Sequence, residues 1–381
     1  MLLIGRSRAY ERGLLLGIAK YSRLHGPWTF YEEPPFYINS GGSKKTLYQM
    51  KDWGVDGIIM RDTKKTQEIV AMGLPTIVTD LREEFSGSPI IKTHDAAIGK
   101  MAAKYLFNRG FRQFAFCGFD NMFWSRDRRE AFGKSITKAG FDVHIYNQPK
   151  SRVKRLPANE LIIMVDWLKS LPKPVALMAC NDDRGRQVIE ACKIAGLHVP
   201  EQVAILGADD DQLVCDLSSP RLSSIALNLE RSGYDAAELL NKLMTGEEKT
   251  ANQRIIVQPT HVVTRQSTDI LAIEDREVAK AVRFIRRHSK ELIQVGDVVN
   301  AVAVSRRSLY QRFRRVLGRT PNEEINRVRI EQVARMLVET NLPISQITLA
   351  LGYSHITHIA RQFRQEKGMS PVAYRKRYGG R

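Results

Sequence analysis

The sequence predicts a two-lobed α/β front domain followed by an all-α domain with two helix-turn-helix units. Three observations carry that expectation. Short β-rich runs alternate with amphipathic helical stretches over roughly the first 265 residues, as in βαβ folds. From residue 276 onward only helical periodicity remains. Positive charge gathers at that end: of 59 Lys+Arg and 41 Asp+Glu in the chain, residues 276–381 hold 22 and 8. A nearly neutral body joined to a strongly basic end suggests that one domain handles a polyanion.

In chain order, the strand candidates are 2–5 (LLIG), 56–60 (DGIIM), 76–80 (TIVTD), 113–119 (QFAFCGF), 175–180 (VALMAC) and 203–208 (VAILGA). Helical patterns run over 10–24, 96–110, 126–140 and 183–196. Gly140 and Gly196 supply stop residues. Some ten elements before residue 230 are too many for one small sheet, so two α/β lobes are expected. The segment 266–275 (QSTDILAIED) breaks the pattern and reads as a linker. The expected domains are therefore 1–265, the linker 266–275, and 276–381.

Composition excludes several classes. Hydrophobic residues at 43% and charged residues at 26% suit a soluble globular protein. No apolar run approaches the ~20 residues that span a bilayer. The opening MLLIGRSRAYERG is too briefly apolar for a signal segment. Four cysteines (Cys117, Cys180, Cys192, Cys215) form no CxxC pair, which points to a reduced, cytoplasmic compartment. A membrane protein, a small secreted module and a disordered chain are all ruled out.

In the basic region, 295–318 places Val298, Val299, Val302, Val304, Leu309 and Phe313 where two crossing helices bury them, with Ala301 small at the crossing. Ser305 can N-cap the second helix. That helix offers Arg306, Arg307, Tyr310 and Gln311 early on its exposed face, then Arg314 and Arg315. A recognition helix places its N-terminal residues on base edges and its basic flank on phosphates. The spacing recurs about 48 residues later, over 343–368. There Ile344, Ile347, Ala350 and Leu351 form an apolar face, Ser354 caps, Ile359 and Phe363 bury, and His355, Thr357, His358 and Arg361 point outward. Between the units, 321–340 reads as one long helix with Ile325, Val328, Ile330, Val333, Ala334 and Leu337 inward, able to join them rigidly.

These two units, the linking helix and the closing run Gly368-Met369-Ser370-Pro371-Val372-Ala373-Tyr374-Arg375 resemble the AraC-type DNA-binding domain over about 100 residues. The resemblance implies that both second helices enter successive major grooves of double-stranded DNA. Arg306, Arg307, Tyr310 and Gln311 then form the first reading set, and His355, Thr357 and Arg361 the second. Ile356 can meet a thymine methyl. Lys376 and Arg377 are positioned for phosphates. A solvated helix face is the competing reading for each residue taken singly.

The stretches GVDGIIM, GLPTIVTD and 178–211 resemble the lactose/galactose-repressor sensor core, which has the fold of periplasmic sugar-binding proteins. That fold implies two lobes closing over a sugar, with ligands at the carboxyl ends of parallel strands. Charged hydrogen-bond partners suit vicinal hydroxyls, and an aromatic ring suits the apolar sugar face. Asp182, Asp209, Trp124 and Arg128 are the leading candidates, followed by Arg184, Arg8, Glu11 and Asp80. Asp182 and Asp183 equally suit a helix N-cap, and Asp209–Asp211 an ordinary turn. The lactose-repressor family carries its DNA-binding headpiece in front, whereas here the chain opens on the first strand. A sensor joined to a C-terminal AraC-type domain resembles regulators of pentose operons along its whole length. Stretches carrying that likeness include AYERG, W-x-x-D-R-x-x-A-F from Trp124, D-x-R-x-R from Asp182 and R-Q-S-T-D from Arg265. The likeness implies D-xylose or a related pentose as effector, activation through RNA polymerase, and a homodimer.

Two other classes compete with this reading. AraC-type domains also occur fused to DNA-alkylation repair modules, which need a metal-bound cysteine cluster. No two cysteines here lie close in sequence, and no P-loop, GxSxG or HExxH appears. No catalytic residue, metal site or cofactor is therefore expected. A constitutive DNA binder with a vestigial front domain is disfavoured by the dense polar set at the strand ends.

Overall fold

The computed structural model describes residues 1–31, 54–79, 88–151, 153, 155–248, 253–270, 272–273, 275–353 and 356–379. Its strands, in chain order, are β1 (Leu2–Leu3), β2 (Ile58–Arg61), β3 (Thr76–Thr79), β4 (Ile90–Thr93), β5 (Phe114–Cys117), β6 (Val143–Ile145), β7 (Val175–Ala179), β8 (Val203–Ala208), β9 (Ser223–Leu227), β10 (Arg254–Val257) and β11 (Pro259–Val263). They build two sheets, one in each of two units of the chain.

The first unit is Met1–His94 with Asn228–Gln258. Its sheet runs β1-β2-β3-β4-β10, all parallel. Helices Ala9–His25 and Leu229–Thr245 pack closely because Gly17 and Gly233 carry no side chain. A Cβ on Gly17 would collide with the Glu230 carbonyl, and one on Gly233 with that of Leu14.

The second unit is Asp95–Leu227 with Pro259–Arg381. Its sheet runs β11-β9-β8-β7-β5-β6, parallel except at the β11–β9 edge. Every residue of β5, β7 and β8 is buried, as continuous apolar strands covered on both faces must be. Helix Asp182–Ala195 starts where the Asn181 side chain accepts from Arg184 N at 3.0 Å and stops at Gly196, φ 68°. The five strands outside the sequence-based set, β4, β6, β9, β10 and β11, are short or half exposed. For β10 the pairing comes from distant chain, since it joins β4.

The same unit carries seven helices after residue 275 among the described residues, and no strand there. Val298, Val302, Leu309 and Phe313 bury against Ile325 and Val328, while Ile347, Leu351, Ile359 and Phe363 bury against Ile330, Val333 and Leu337. Helix Pro321–Glu339 thus supplies one end to each helical core and joins them rigidly. It opens with a capping box, Thr320 with Glu323.

Two packing expectations need correction. Ala301 and Ala350 are exposed, not buried. The close turn of the first unit lies instead at Ala303, whose backbone is left-handed at φ 53°. Gly352 takes the corresponding place in the second unit, at φ 72°.

The segment expected as a linker is tightly held. Gln266–Thr268 forms a 3-10 turn in which Ser267 Oγ donates to the Ile205 carbonyl at 2.6 Å and Ser267 N donates to the Arg221 carbonyl at 2.9 Å. Ala272 N donates to the Arg109 carbonyl, Ile273 enters the first helical core, and Asp275 caps helix Arg276–Arg287.

Candidate functional site

Ligands of parallel α/β sheets collect at the carboxyl ends of the strands, and the second unit gathers its charged residues there. Helix Phe123–Lys138 follows β5 and turns Arg128 inward, where it is 3% exposed. Its Nε donates to Asp95 at 2.8 Å, one terminal nitrogen to the Cys180 carbonyl at 2.6 Å, and the other to Asp209 at 3.0 Å. Burial alone would lower its pKa, but the Asp209 and Asp95 carboxylates raise it, so the cation persists. The half-buried Trp124 ring lies 5.2 Å from the Arg128 guanidinium and edge-on to Phe119.

Asp209 and Asp210 continue β8 with φ 97° and 51°, a backbone that side-chain-bearing residues seldom adopt. Such strain persists only where the surroundings over-determine it. Here Asp209 N donates to the Ile225 carbonyl and Asp210 N to Ser224 Oγ, while Arg265 grips Asp210 at 2.8 Å. The turn therefore holds Asp209 half-open at the strand end, with Arg128 behind it.

Two candidates are spent inside the lobe instead. Asp182 is 3% exposed and accepts from Asp211 N at 2.7 Å and from the Ser224 hydroxyl. A Cβ on Gly207 would strike its carboxylate, so the approach depends on that glycine. Burial, and then the Asp209 charge, push the Asp182 carboxyl well above its ordinary value. Arg184, 1% exposed, donates to Glu160 at 2.6 Å and to the Gly118 carbonyl at 3.1 Å beneath the Phe119 and Tyr146 rings. Their polar groups face the interior, so the structure makes them supports of the strand ends.

In the first unit, Glu11 is buried and accepts from Arg61 at 2.9 Å, and its other oxygen has no partner among the described residues. Tyr10 pairs with Thr79 at the end of β3, and Arg8 is exposed. Asp80 lies outside the described residues. Sequence reasoning missed Asp95, Ser224, Arg61 and Arg265. Asp95 opens helix Asp95–Phe107 and reads as an ordinary helix-start acid until the fold brings Arg128 against it.

The first candidate for a DNA-binding face is helix Arg306–Leu317. The Ser305 side chain accepts from Ser308 N at 3.2 Å, and Leu309 and Phe313 anchor the buried side. Arg306, Arg307, Gln311, Arg314 and Arg315 are exposed, and Tyr310 is half buried beneath Arg306. Helix Ile356–Lys367 buries Ile359 and Phe363 and exposes Arg361. Ile356 and Thr357 begin its backbone, while Ser354 and His355 lie outside the described residues. The closing run is structural. Ser370 caps the last helix, Pro371–Tyr378, and buried Tyr374 packs on Phe363 and donates to the Thr260 carbonyl at 2.8 Å. Lys376 and Arg377 are exposed.

All four cysteines are buried, and burial pushes the thiols of Cys117 and Cys192 up to about 12 and that of Cys180 to about 11. Thiols so raised are poor nucleophiles.

Residues 103–268 match a periplasmic binding protein-like domain and residues 298–377 a helix-turn-helix domain. The xylose operon regulatory protein of Haemophilus influenzae is 30% identical over 98% of this chain and 97% of its own length. That of Escherichia coli K12 is 28% identical over 98% and 96%. The solved structure of the xylose-binding transcription activator xylR aligns with a TM-score of 0.60 and 27% identity, covering 99% of this chain and 97% of that one. Fold and site together define a sugar-responsive, DNA-binding transcription regulator. Its relatives are regulators, not enzymes. The chain belongs to the family of xylose operon regulatory proteins.

Proposed function

We propose that this protein is a cytoplasmic, homodimeric activator of pentose catabolic genes whose effector is D-xylose or a related pentose. The carrying observation is Asp209, held half-open in a strained turn by the buried Arg128, whose guanidinium also lies 5.2 Å from the Trp124 ring. A carboxylate and an aromatic ring that both meet one buried arginine suit a sugar, which offers hydroxyls on its rim and C–H groups on its faces. Asp209 accepts from sugar hydroxyls, Trp124 covers the ring, and Arg128 holds Asp209 in place. Asp182 and Arg184 support the strand ends. Arg8 and Glu11 are the first unit's candidates.

On DNA, Arg306, Arg307, Tyr310 and Gln311 read one major groove, with Arg314 and Arg315 on phosphates. Ile356, Thr357 and Arg361, with His355, read the next. Bound DNA brings the activator to RNA polymerase. The domain plan remains 1–265 for sensing, 266–275 for connection and 276–381 for DNA.

A thermal-shift panel of xylose, arabinose, ribose, glucose and galactose tests the effector. Stabilisation follows RT ln(1 + [L]/Kd), so xylose at 100 Kd adds about 2.7 kcal/mol. Asp209→Asn abolishes that shift if the assignment is correct. An undiminished shift in the variant refutes the pocket, and a larger shift with another sugar refutes xylose.

A further inference from the structure

The linker ends in a carboxylate that the DNA-binding reading does not use. Asp275 caps helix Arg276–Arg287 by accepting from Glu277 N and Val278 N. The same carboxylate also reaches across to helix Arg306–Leu317. Arg312 donates to both of its oxygens at 3.0 Å, and Arg315 donates to one at 3.3 Å. Asp275 is 7% exposed in these pairs, whereas the Arg315 side chain is 74% exposed. An enclosed anion thus holds an open cation by its edge.

Helical geometry shows what that hold opposes. Arg307, Gln311 and Arg314 share one face at i, i+4 and i+7, while Arg312 and Arg315 lie on the flank beside it. A helix seated in a major groove brings its flank to the sugar-phosphate backbone. Beside that flank lies a groove of about 710 Å³, lined by Arg112, Arg276, Arg312 and Arg315 against Asp275 and Glu277. Among the described residues, four cations against two carboxylates leave it attractive to phosphate.

The other end of the segment is fixed to the sensing lobe. Ser267 donates to the Ile205 carbonyl within β8, and Arg265 grips Asp210, the neighbour of Asp209. The segment bearing Asp275 is therefore tied to the turn that bears the candidate sugar ligand.

We propose that Asp275 is an internal stand-in for a DNA phosphate: it holds Arg315 in the free protein, and DNA binding requires Arg315 to exchange that carboxylate for the backbone. Displacement of the segment sets how readily the exchange occurs, which couples the sensing lobe to phosphate anchoring. This rests on the reading that helix Arg306–Leu317 docks on DNA, and the test separates the two.

The full-length protein is titrated with duplex DNA of scrambled sequence across a salt series, since phosphate contacts are sequence-independent. Each phosphate contact contributes about 0.9 to the log–log salt slope. Arg315→Ala loses about 0.9 whether or not Asp275 competes. Asp275→Asn retains a capping side chain and removes the charge. It is expected to bind scrambled DNA more tightly at low salt and to keep the wild-type contact count or gain one, because Arg315 no longer divides its time. Asp275→Asn is expected to gain less over Arg315→Ala in the double variant than it gains over the wild type, the signature of coupling between the two residues. Asp275→Ser repeats the measurement with a different cap, should the Asn variant fold poorly. If Asp275→Asn and Asp275→Ser bind as the wild type does while Arg315→Ala is weakened, the competition is refuted and the docking stands. If Arg315→Ala is also unaffected, helix Arg306–Leu317 does not meet the backbone and both ideas fall.

Discussion

Replacing Arg128 with Met removes a buried cation while largely keeping its volume. Asp95, 4% exposed, and Asp209 both lose their ion-pair partner, and the Cys180 carbonyl loses its donor at 2.6 Å. Removing one partner of a buried pair typically costs ~3–5 kcal/mol, because the charge left behind has no compensation. For a unit of this size that is a fall of roughly 6–20 °C in the sensing-lobe transition. The loss should also depend on pH. Burial pushes the Asp95 carboxyl up to about 6 even with Arg128 beside it, and without the cation it moves further up. A carboxyl whose folded pKa lies above its unfolded one contributes stability that is fully present below the unfolded pKa and lost as pH rises through the folded value. The variant's deficit must therefore be smaller at about pH 5.5 than at about pH 8. Urea and thermal unfolding at the two pH values measure this. A variant as stable as the wild type, or a deficit that grows toward acid, refutes the assignment of Arg128 as the cation holding both carboxylates.

Further predictions concern the helical domain. Ala303→Gly relieves a left-handed backbone at φ 53° and should stabilise by about 1 kcal/mol, read as a higher midpoint of unfolding. Gly352→Ala should destabilise, since φ is 72° and its Cβ would lie 2.9 Å from Leu292. Glu324, fully buried, accepts from Arg319 at 2.6 Å and Arg327 at 2.7 Å. Glu324→Gln should cost ~3–5 kcal/mol at neutral pH. Burial would raise the Glu324 pKa, but Arg327 and Arg319 hold it below its ordinary value, so its stabilisation is present above the unfolded pKa and lost as pH falls through the folded one. The gap between variant and wild type should narrow in acid.

The parts of this fold legible in the sequence are those specified locally. Ser305 caps its helix as short-range chemistry requires, and β5, β7 and β8 are apolar runs that only a two-sided cover explains. The linking helix shows its buried stripe in its own spacing. What escaped depends on chain far away. β10 finds β4 across more than 150 residues, and Arg128 meets Asp95 and Asp209 from two different crossovers. Asp182 and Arg184 fall in a run resembling a sugar grip, but their orientation depends on Ser224 and Glu160, which no local pattern reveals. Ala301 suggested a close helix crossing because it is small; the sharp turn instead falls two residues later, at a position where glycine would be expected.

The central claim is that sugar in the sensing lobe changes DNA binding by the helical domain. It is tested most directly by fluorescence anisotropy of an operator duplex, selected by the protein itself from random DNA, with and without saturating D-xylose. Coupling of the usual ~1–3 kcal/mol predicts roughly 5–150-fold tighter DNA binding with xylose, and by reciprocity an equal gain in xylose affinity on DNA. Identical DNA affinities with and without the sugar, at a concentration that saturates the thermal shift, contradict it.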